Sequence, residues 1–190
     1  MSGKIRLGVA MTGSFCTFSE VMKVVEQLAE SYDIFPIMSE FAAATDTRFG
    51  KAAEHLERLE KISGKKAVTH IAAAEPIGPK RLLDALVIIP CTGNTLGKLA
   101  GGITDTAVTM AAKANLRNGK PLIIAVSSND SLSASAKNIG LLMNSKNVFF
   151  VPLRQDDHVK KPTSVVCDFS RTDESVRAAL EGRQLQPMLL

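Results

Sequence analysis

The sequence predicts an α/β fold of three layers, a mainly parallel sheet with helices on both faces, and three observations carry that expectation. Short apolar runs bounded by turn residues alternate with longer stretches of helical periodicity along almost the whole chain. Three of those runs end in small, polar or hydroxylated residues before a helix begins. The clearest such unit is residues 86–107, LVIIPCTGNTLGKLAGGITDTA, in which Leu86, Val87, Ile88 and Ile89 precede a polar loop and a helical pattern resuming at Leu96. Open α/β sheets bind ligands at such strand ends, because the next helix starts there with unpaired N–H groups and a positive dipole end.

Residues 4–10 (KIRLGVA) read as the first strand and 11–14 (MTGS) as a turn. Phe18, Val21, Met22, Val25, Leu28 and Ala29 then recur on one face at helical spacing. Residues 32–38 (YDIFPIM) read as a second strand, where Pro36 removes a ladder donor and points to an irregular or edge pairing. Ser39 opens a loop, and a helix over 46–62 would carry Phe49, Ala52, Ala53, Leu56 and Leu59 inward and stop at Gly64. Residues 68–72 suggest a short third strand, the EPIGPK segment a run of turns, and 82–85 a helical turn. After the strand at 86–89 comes a helix or pair of helices over 95–117, interrupted at Gly101 and Gly102. Residues 121–126 form another buried strand, 132–144 a helix, 147–151 a last parallel strand, and 172–182 a terminal helix capped by Thr172 or Asp173. The expectation is one domain over 1–190, with a loop at 153–162 and a tail at 184–190 as extensions; the apolar end of that tail suggests burial, for instance against a second copy of the chain or another protein.

At 190 residues, with 45% hydrophobic and 22% charged residues, the chain has ordinary globular composition and length enough for a real core. No apolar run approaches the ~18 residues a membrane span needs, and the start lacks a signal peptide's apolar stretch, so a cytoplasmic protein is expected. Cys16, Cys91 and Cys167 are odd in number and widely spaced, which favours reduced thiols over disulfides or zinc. A net charge of +4 without a basic block, one Tyr and no Trp argue against nucleic acid as a partner.

The chemistry-bearing residues cluster at strand ends: Gly13 and Ser14 after the first, Ser39 after the second, and Thr92, Gly93, Asn94 and Thr95 after the fourth. Small residues let backbone amides approach a bound group and hydroxyls add donors, so a phosphate would be accommodated without a strong positive cluster. Plain turn chemistry is the alternative for any one of these loops taken alone. Neither a Walker A nor a GxGxxG motif is present.

Taken together, GVAMTGS, IPCTGNTLGKLAGGITD and LIIAVSSND resemble the flavin-binding family of homo-oligomeric cysteine decarboxylases and flavin prenyltransferases. The middle motif of that family reads P-x-S-A-N-T-x-x-K-x-A-x-G-I-x-D. Pro90, Thr92, Gly93, Asn94, Thr95, Lys98, Ala100, Gly102, Ile103 and Asp105 fall on it, with Thr for Ser and Gly for Ala. The resemblance implies a Rossmann-like or flavodoxin-like flavoprotein fold, FMN as cofactor and a homo-oligomer. It further implies that Gly13, Ser14 and Ser39 hold the FMN phosphate, that Thr92, Gly93, Asn94 and Thr95 contact phosphate and ribityl groups, and that Ser127 and Ser128 approach the isoalloxazine. Asp105 is either a ligand contact or a brace for its helix.

Within the family the chain is similar, over about 4–169 and including HIAAAEPIGPK and RQDDHVKKP, to a branch that works in the mother cell of sporulating bacteria. There it implies action with a second, NAD(P)-binding protein in oxidising dihydrodipicolinate to the aromatic pyridine-2,6-dicarboxylate. Such a small dianion calls for Arg or Lys, and Arg48, Lys80, Arg154, Lys160 and Lys161 are the candidates, each also readable as solvated surface charge. Asp46, Glu75, His70 and His158 are candidate bases; His70 reads more readily as a core histidine in an apolar strand, and none stands out as catalytic. Cys91 reads as a small buried residue rather than a reactive thiol, and Cys16 as packing beneath the first helix.

The family's decarboxylases use a histidine after the second strand, where SEFAAATDTRFGK has none, and a P-x-M-N motif where this chain has Val126, Ser127, Ser128 and Asn129. Peptidyl-cysteine decarboxylation is therefore not expected, nor is prenyl transfer. The competing expectation is a non-catalytic structural or allosteric partner with an emptied flavin site. A free-standing flavin enzyme acting on another small carboxylate is a third.

Overall fold

The computed structural model describes residues 3–190. Its sheet has seven strands: β1 (Arg6–Met11), β2 (Asp33–Met38), β3 (Ala85–Cys91), β4 (Leu122–Ser128), β5 (Val148–Phe150), β6 (Gln155–Asp157) and β7 (Lys161–Val166). The order is β2-β1-β3-β4-β7-β6, with β5 also paired to β4. β1 through β5 run parallel, so their carboxyl ends face one way. Every residue of β3 is buried, as an unbroken apolar run in a central parallel strand must be. β2 lies at the edge with Pro36 in register with Val9, and Pro36 accepts from Val68 N on its outer side, where its own missing N–H faces.

The helices are α1 (Phe18–Ser31), α2 (Glu40–Ala44), α3 (Ala52–Ser63), α4 (Ile71–Ala74), α5 (Gly93–Ala100), α6 (Ala107–Arg117), α7 (Ala136–Met143) and α8 (Thr172–Leu180). α1 and α8 pack on one face, α4 to α7 on the other, and α3 covers the β2 edge. α1 buries Phe18, Val21, Met22, Val25 and Leu28, the stripe read from its spacing.

Several expected boundaries move. The helix expected from 46 begins at Ala52, because Asp46 Oδ1 accepts from Ala52 N at 2.9 Å and so ends the preceding loop instead of starting the helix. Phe49 and Ala53 are consequently exposed. The expected strand at 68–72 shrinks to one bridge between Val68 and Ile37, since Ile71–Ala74 is alanine-rich and turns helical. No helical turn stands at 82–85, where β3 already begins at Ala85. The helix expected from 132 starts at Ala136, after serine-rich turns. Thr172 does not cap α8: its hydroxyl donates to Phe169 O at 2.7 Å, and the cap position is Arg171.

The expected loop at 153–162 is mostly an antiparallel hairpin, β6 and β7. β7 pairs with the last two residues of β4, Ser127 with Val166 and Ser128 with Val165, while β5 pairs with Leu122, Ile123 and Ile124. The hairpin therefore takes over β4's edge where β5 leaves it, at the carboxyl end of the sheet. The tail runs beside Leu153, bonding through Met188 O and Leu190 N, and its apolar end stays exposed on the single chain, Leu189 at 74%.

Candidate functional site

The carboxyl ends of β1, β2, β3 and β4 converge on two adjoining cavities that share Gly13 and Thr92. Thr12, absent from the sequence-level candidates, joins the loops after β1 and β3. Its buried hydroxyl donates to Pro90 O at 2.7 Å and accepts from Thr92 N at 3.1 Å. An apolar run followed by Thr-Gly gives no signal that this hydroxyl faces a loop 80 residues later.

The first cavity, about 460 Å³, is lined by Gly13, Ser39, Thr92, Asn94 and Thr95 with Glu40, Phe41, Lys98 and Asp105. Ser39 caps α2, accepting from Ala42 N at 3.3 Å, and Thr92 caps α5, accepting from Thr95 N at 3.3 Å. Both are acceptors in these caps, so the Ser39 proton stays available, and the Thr92 and Thr95 hydroxyls, 3.1 Å apart, keep one proton beyond the one they share. The first N–H groups of α5, at Gly93 and Asn94, have no intrahelical acceptor. The acidic lining groups are engaged: Glu40 accepts from Ala107 N at the start of α6, and Asp105 takes both its oxygens to Lys98 at 2.9 Å. Asp105 is thus a brace within the chain. A Cβ on Gly13 would stand 3.2 Å from the Phe41 ring, so glycine keeps this wall open. Hydroxyl protons and helix-start amides form a donor set suited to a phosphate, with the Asp105 charge balanced by Lys98 and the Glu40 carboxylate turned to the start of α6.

The second cavity, about 330 Å³, is lined by Gly13, Ser14, Phe15, Cys16, Phe49, Ser127, Ser128 and Asn129 from the parallel part of the fold, and by Asp156, Lys161, Ser164 and Val166 from the hairpin. Ser14 and Ser127 share a hydrogen bond of 2.8 Å across the cavity wall. Lys161 Nζ pairs with Asp156 at 2.8 Å and Ser164 donates to the same carboxylate. Bonding from Lys161 holds the Asp156 carboxyl below its ordinary range, and Asp156 in turn raises Lys161.

The sequence-level cofactor set of Gly13, Ser14, Ser39, Thr92, Gly93, Asn94, Thr95, Ser127 and Ser128 is thus brought to one end of the sheet; all but Gly93 line a cavity. The substrate candidates separate. Arg48 stacks on Phe49, a lining residue, at 4.8 Å from the ring centre. Arg154 is exposed, lines neither cavity and lies close enough to lower the Asp156 carboxyl further. Lys80 stands at the other end of the sheet, four residues before Asp84, whose N–H bonds Arg6 O at the start of β1. Asp46 is held by the α3 start, Glu75 and His158 are exposed, and none of the three lines either cavity.

Two readings of single residues are corrected. His70 is exposed at the start of α4, not buried in a strand, because the chain turns helical there. Cys16 is exposed and lines the second cavity, because a short 3-10 turn at Phe15–Thr17 precedes α1 and turns it outward. The half-buried histidine is His55 on α3, set edge-on against Phe18 at 4.9 Å between ring centres, with a buried Nε2 that has no partner. Cys91 is buried, and burial pushes its thiol far above the ordinary range, consistent with a packing role. The hairpin's Asp156, Lys161 and Ser164 owe their place to long-range pairing with β4; of the three, only Lys161 is a candidate from the sequence, as a cation.

Among known proteins, the B subunit of dipicolinate synthase from Bacillus subtilis (strain 168) is 42% identical over 191 residues, covering 100% of this chain and 95% of the relative. The crystal structure of the same dipicolinate synthase component from Bacillus halodurans C superposes with a TM-score of 0.90 at 41% identity, covering 98% of this chain and 96% of the other. The FMN-dependent cysteine decarboxylase SpaF shares the fold, with a TM-score of 0.70 at 22% identity over 94% of this chain and 97% of its own. The family model described as Flavoprotein matches residues 1–181, and the chain belongs to the Flavoprotein family.

Proposed function

We propose that this chain is the flavoprotein-like subunit of a dipicolinate synthase, acting with the enzyme's other, nicotinamide-binding component to oxidise dihydrodipicolinate to dipicolinate during sporulation. The observation that carries the reading is full-length similarity to the B subunit of that enzyme, in a chain whose hydroxyl-lined cavities are intact. The donor set of the first cavity suits the FMN phosphate, held by the Ser39 hydroxyl, the Thr92–Thr95 pair and the first amides of α5, with Gly13 beside them; Ser14, expected there from the sequence, lines the second cavity instead. When bound there, FMN would supply a two-electron redox centre.

The chain's own residues position the substrate. Lys161, at the wall of the second cavity, is the cation placed to meet one carboxylate of the dianion, and Arg48 stands above the Phe49 rim for the other. Phe15, Phe49 and Val166 give a planar ring apolar surface to rest on. Aromatisation removes a hydride, which passes to NAD(P)⁺ on the nicotinamide-binding partner, and a proton. Lys161 holds the Asp156 carboxyl below its ordinary range, which makes it a weak acceptor for that proton. Chains with the SpaF fold include a dodecameric decarboxylase, and we assign this chain a homo-oligomer as its working form.

Coexpression with and without the nicotinamide-binding partner, followed by dipicolinate formation, tests the reading. Product should form only when both chains are present; full activity of that partner on its own would overturn it. FMN titration of the purified chain decides separately between a filled and an emptied flavin site.

A further inference from the structure

On the flavin reading above, we infer that Asp130 sets the hydrogen-bond polarity of the second cavity's wall, fixing the Ser128 hydroxyl as an acceptor so that this corner reads a ligand N–H. Ser128 Oγ donates to Asp130 Oδ1 at 2.6 Å, and Ser135 Oγ, which is buried, lies 3.1 and 3.0 Å from the two carboxylate oxygens. A serine hydroxyl has one proton and a carboxylate has none. Ser128, which lines the cavity, therefore faces it with lone pairs alone. Its neighbour Ser127 differs: with Ser14 it shares one hydrogen bond of 2.8 Å between two hydroxyls, leaving one proton to donate. Adjacent residues thus present an acceptor and a donor.

Gly93 makes room for this arrangement. A Cβ at that position would lie 2.6 Å from Asp130 Oδ1, 2.7 Å from Ser128 Oγ and 2.8 Å from Ser135 Oγ. The family pattern carries alanine there, and this chain carries the glycine that lets the carboxylate sit against the first turn of α5. Phosphate, carboxylate and carbonyl oxygens are all acceptors, so none of them gains a bond from Ser128. A ring N–H, as in a cyclic imide, pairs with Ser128 as its acceptor. The pyrimidine end of a flavin carries that N–H, and a pyridine dicarboxylate does not.

The test compares FMN with 3-methyl-FMN, which lacks the N–H, by quenching of flavin fluorescence on the full chain, alone and with its nicotinamide-binding partner. Wild type should prefer FMN about tenfold. Ser128→Ala should lose the acceptor and most of that preference. Asp130→Ala, which removes the acceptor and frees the Ser128 proton, should lose it as well. Circular dichroism checks each fold; should Asp130→Ala fail to fold, Ser128→Ala, which removes a single oxygen, still decides. Equal binding of the two flavins by wild type would overturn the polarity assignment while leaving the flavin site standing. A preference undiminished in either folded variant would overturn it too, because the methyl group would then be excluded by shape. Failure of wild type to bind FMN at all would overturn the flavin reading and this assignment together.

Discussion

At the amino-terminal end of the sheet Asp84 accepts from Arg6 N, Nε and Nη2 at 3.0, 3.0 and 2.8 Å, while Arg6 Nη1 bonds Arg81 O at 2.8 Å. At the carboxyl end, beside the Lys98–Asp105 and Lys161–Asp156 ion pairs, hydroxyls stand in pairs, Thr92 with Thr95 and Ser14 with Ser127, each pair holding one proton more than it uses. The first end closes its charges on one another and ties β1 to the turn before β3. The second leaves donors open where short loops and helix starts meet two cavities. Satisfied groups hold strands together, and groups with unused bonding capacity recognise a ligand.

The sharpest way to break this division is Thr12→Val, since Thr12 belongs to both roles. Its hydroxyl is buried and ties β1 to the loop after β3, so the change leaves Thr92 N without its acceptor and should destabilise the protein by about 2 to 3 kcal/mol. FMN affinity should fall with it, because the Thr92 loop loses its anchor. Urea unfolding and flavin titration read the two effects; unchanged stability with intact binding would show that the loop holds its shape without Thr12.

Asp84→Ala acts at the closed end alone. The pair is partly exposed, Arg6 at 43% and Asp84 at 27%, so the loss should be about 1 kcal/mol, with FMN affinity unchanged. Bonding to Arg6 holds the Asp84 carboxyl below its ordinary range in the folded chain. A group with a depressed folded value contributes its full stability above its unfolded value and loses it as pH falls through the folded one. The gap between wild type and Asp84→Ala should therefore be complete at neutral pH and close on acidification below the ordinary aspartate range. A gap that widens in acid would mean the carboxylate is not what Arg6 holds.

The two ends also differ in how far a sequence reveals them. The first cavity is built from β–α turns, in which Ser39 and Thr92 cap the helices that follow and Thr95 lies in the first turn of α5, so local pattern places them. The strands β1, β3 and β4 are legible for the same reason, as apolar runs buried throughout or nearly so. The hairpin is not. Gln155, Asp156 and Asp157 are polar, and β7 carries Pro162 at its exposed start, so nothing in 155–166 looks like a strand until β4 supplies an edge. His70 illustrates the opposite error, an apolar neighbourhood that reads as a strand where alanines favour a helix.

Lys161 and Lys80 give the smallest effects and the cleanest contrast, because both are substrate candidates on charge alone and the fold puts them at opposite ends. Lys161 lines the second cavity beside Asp156; Lys80 sits in the turns before β3. Lys161→Ala should raise the KM for the dihydropyridine dicarboxylate in the assembled enzyme about fivefold, the scale of one solvated charge contact. Its urea midpoint should not move, since the Lys161 pairing is exposed and lies at the hairpin's open end. Lys80→Ala should move neither quantity. A raised KM in Lys80→Ala would mean that another copy or the nicotinamide-binding partner brings the amino-terminal end of this chain to the substrate. An unchanged KM in Lys161→Ala would leave the hairpin as a wall of the cavity and hand the carboxylate to Arg48, whose guanidinium already lies against the cavity's Phe49.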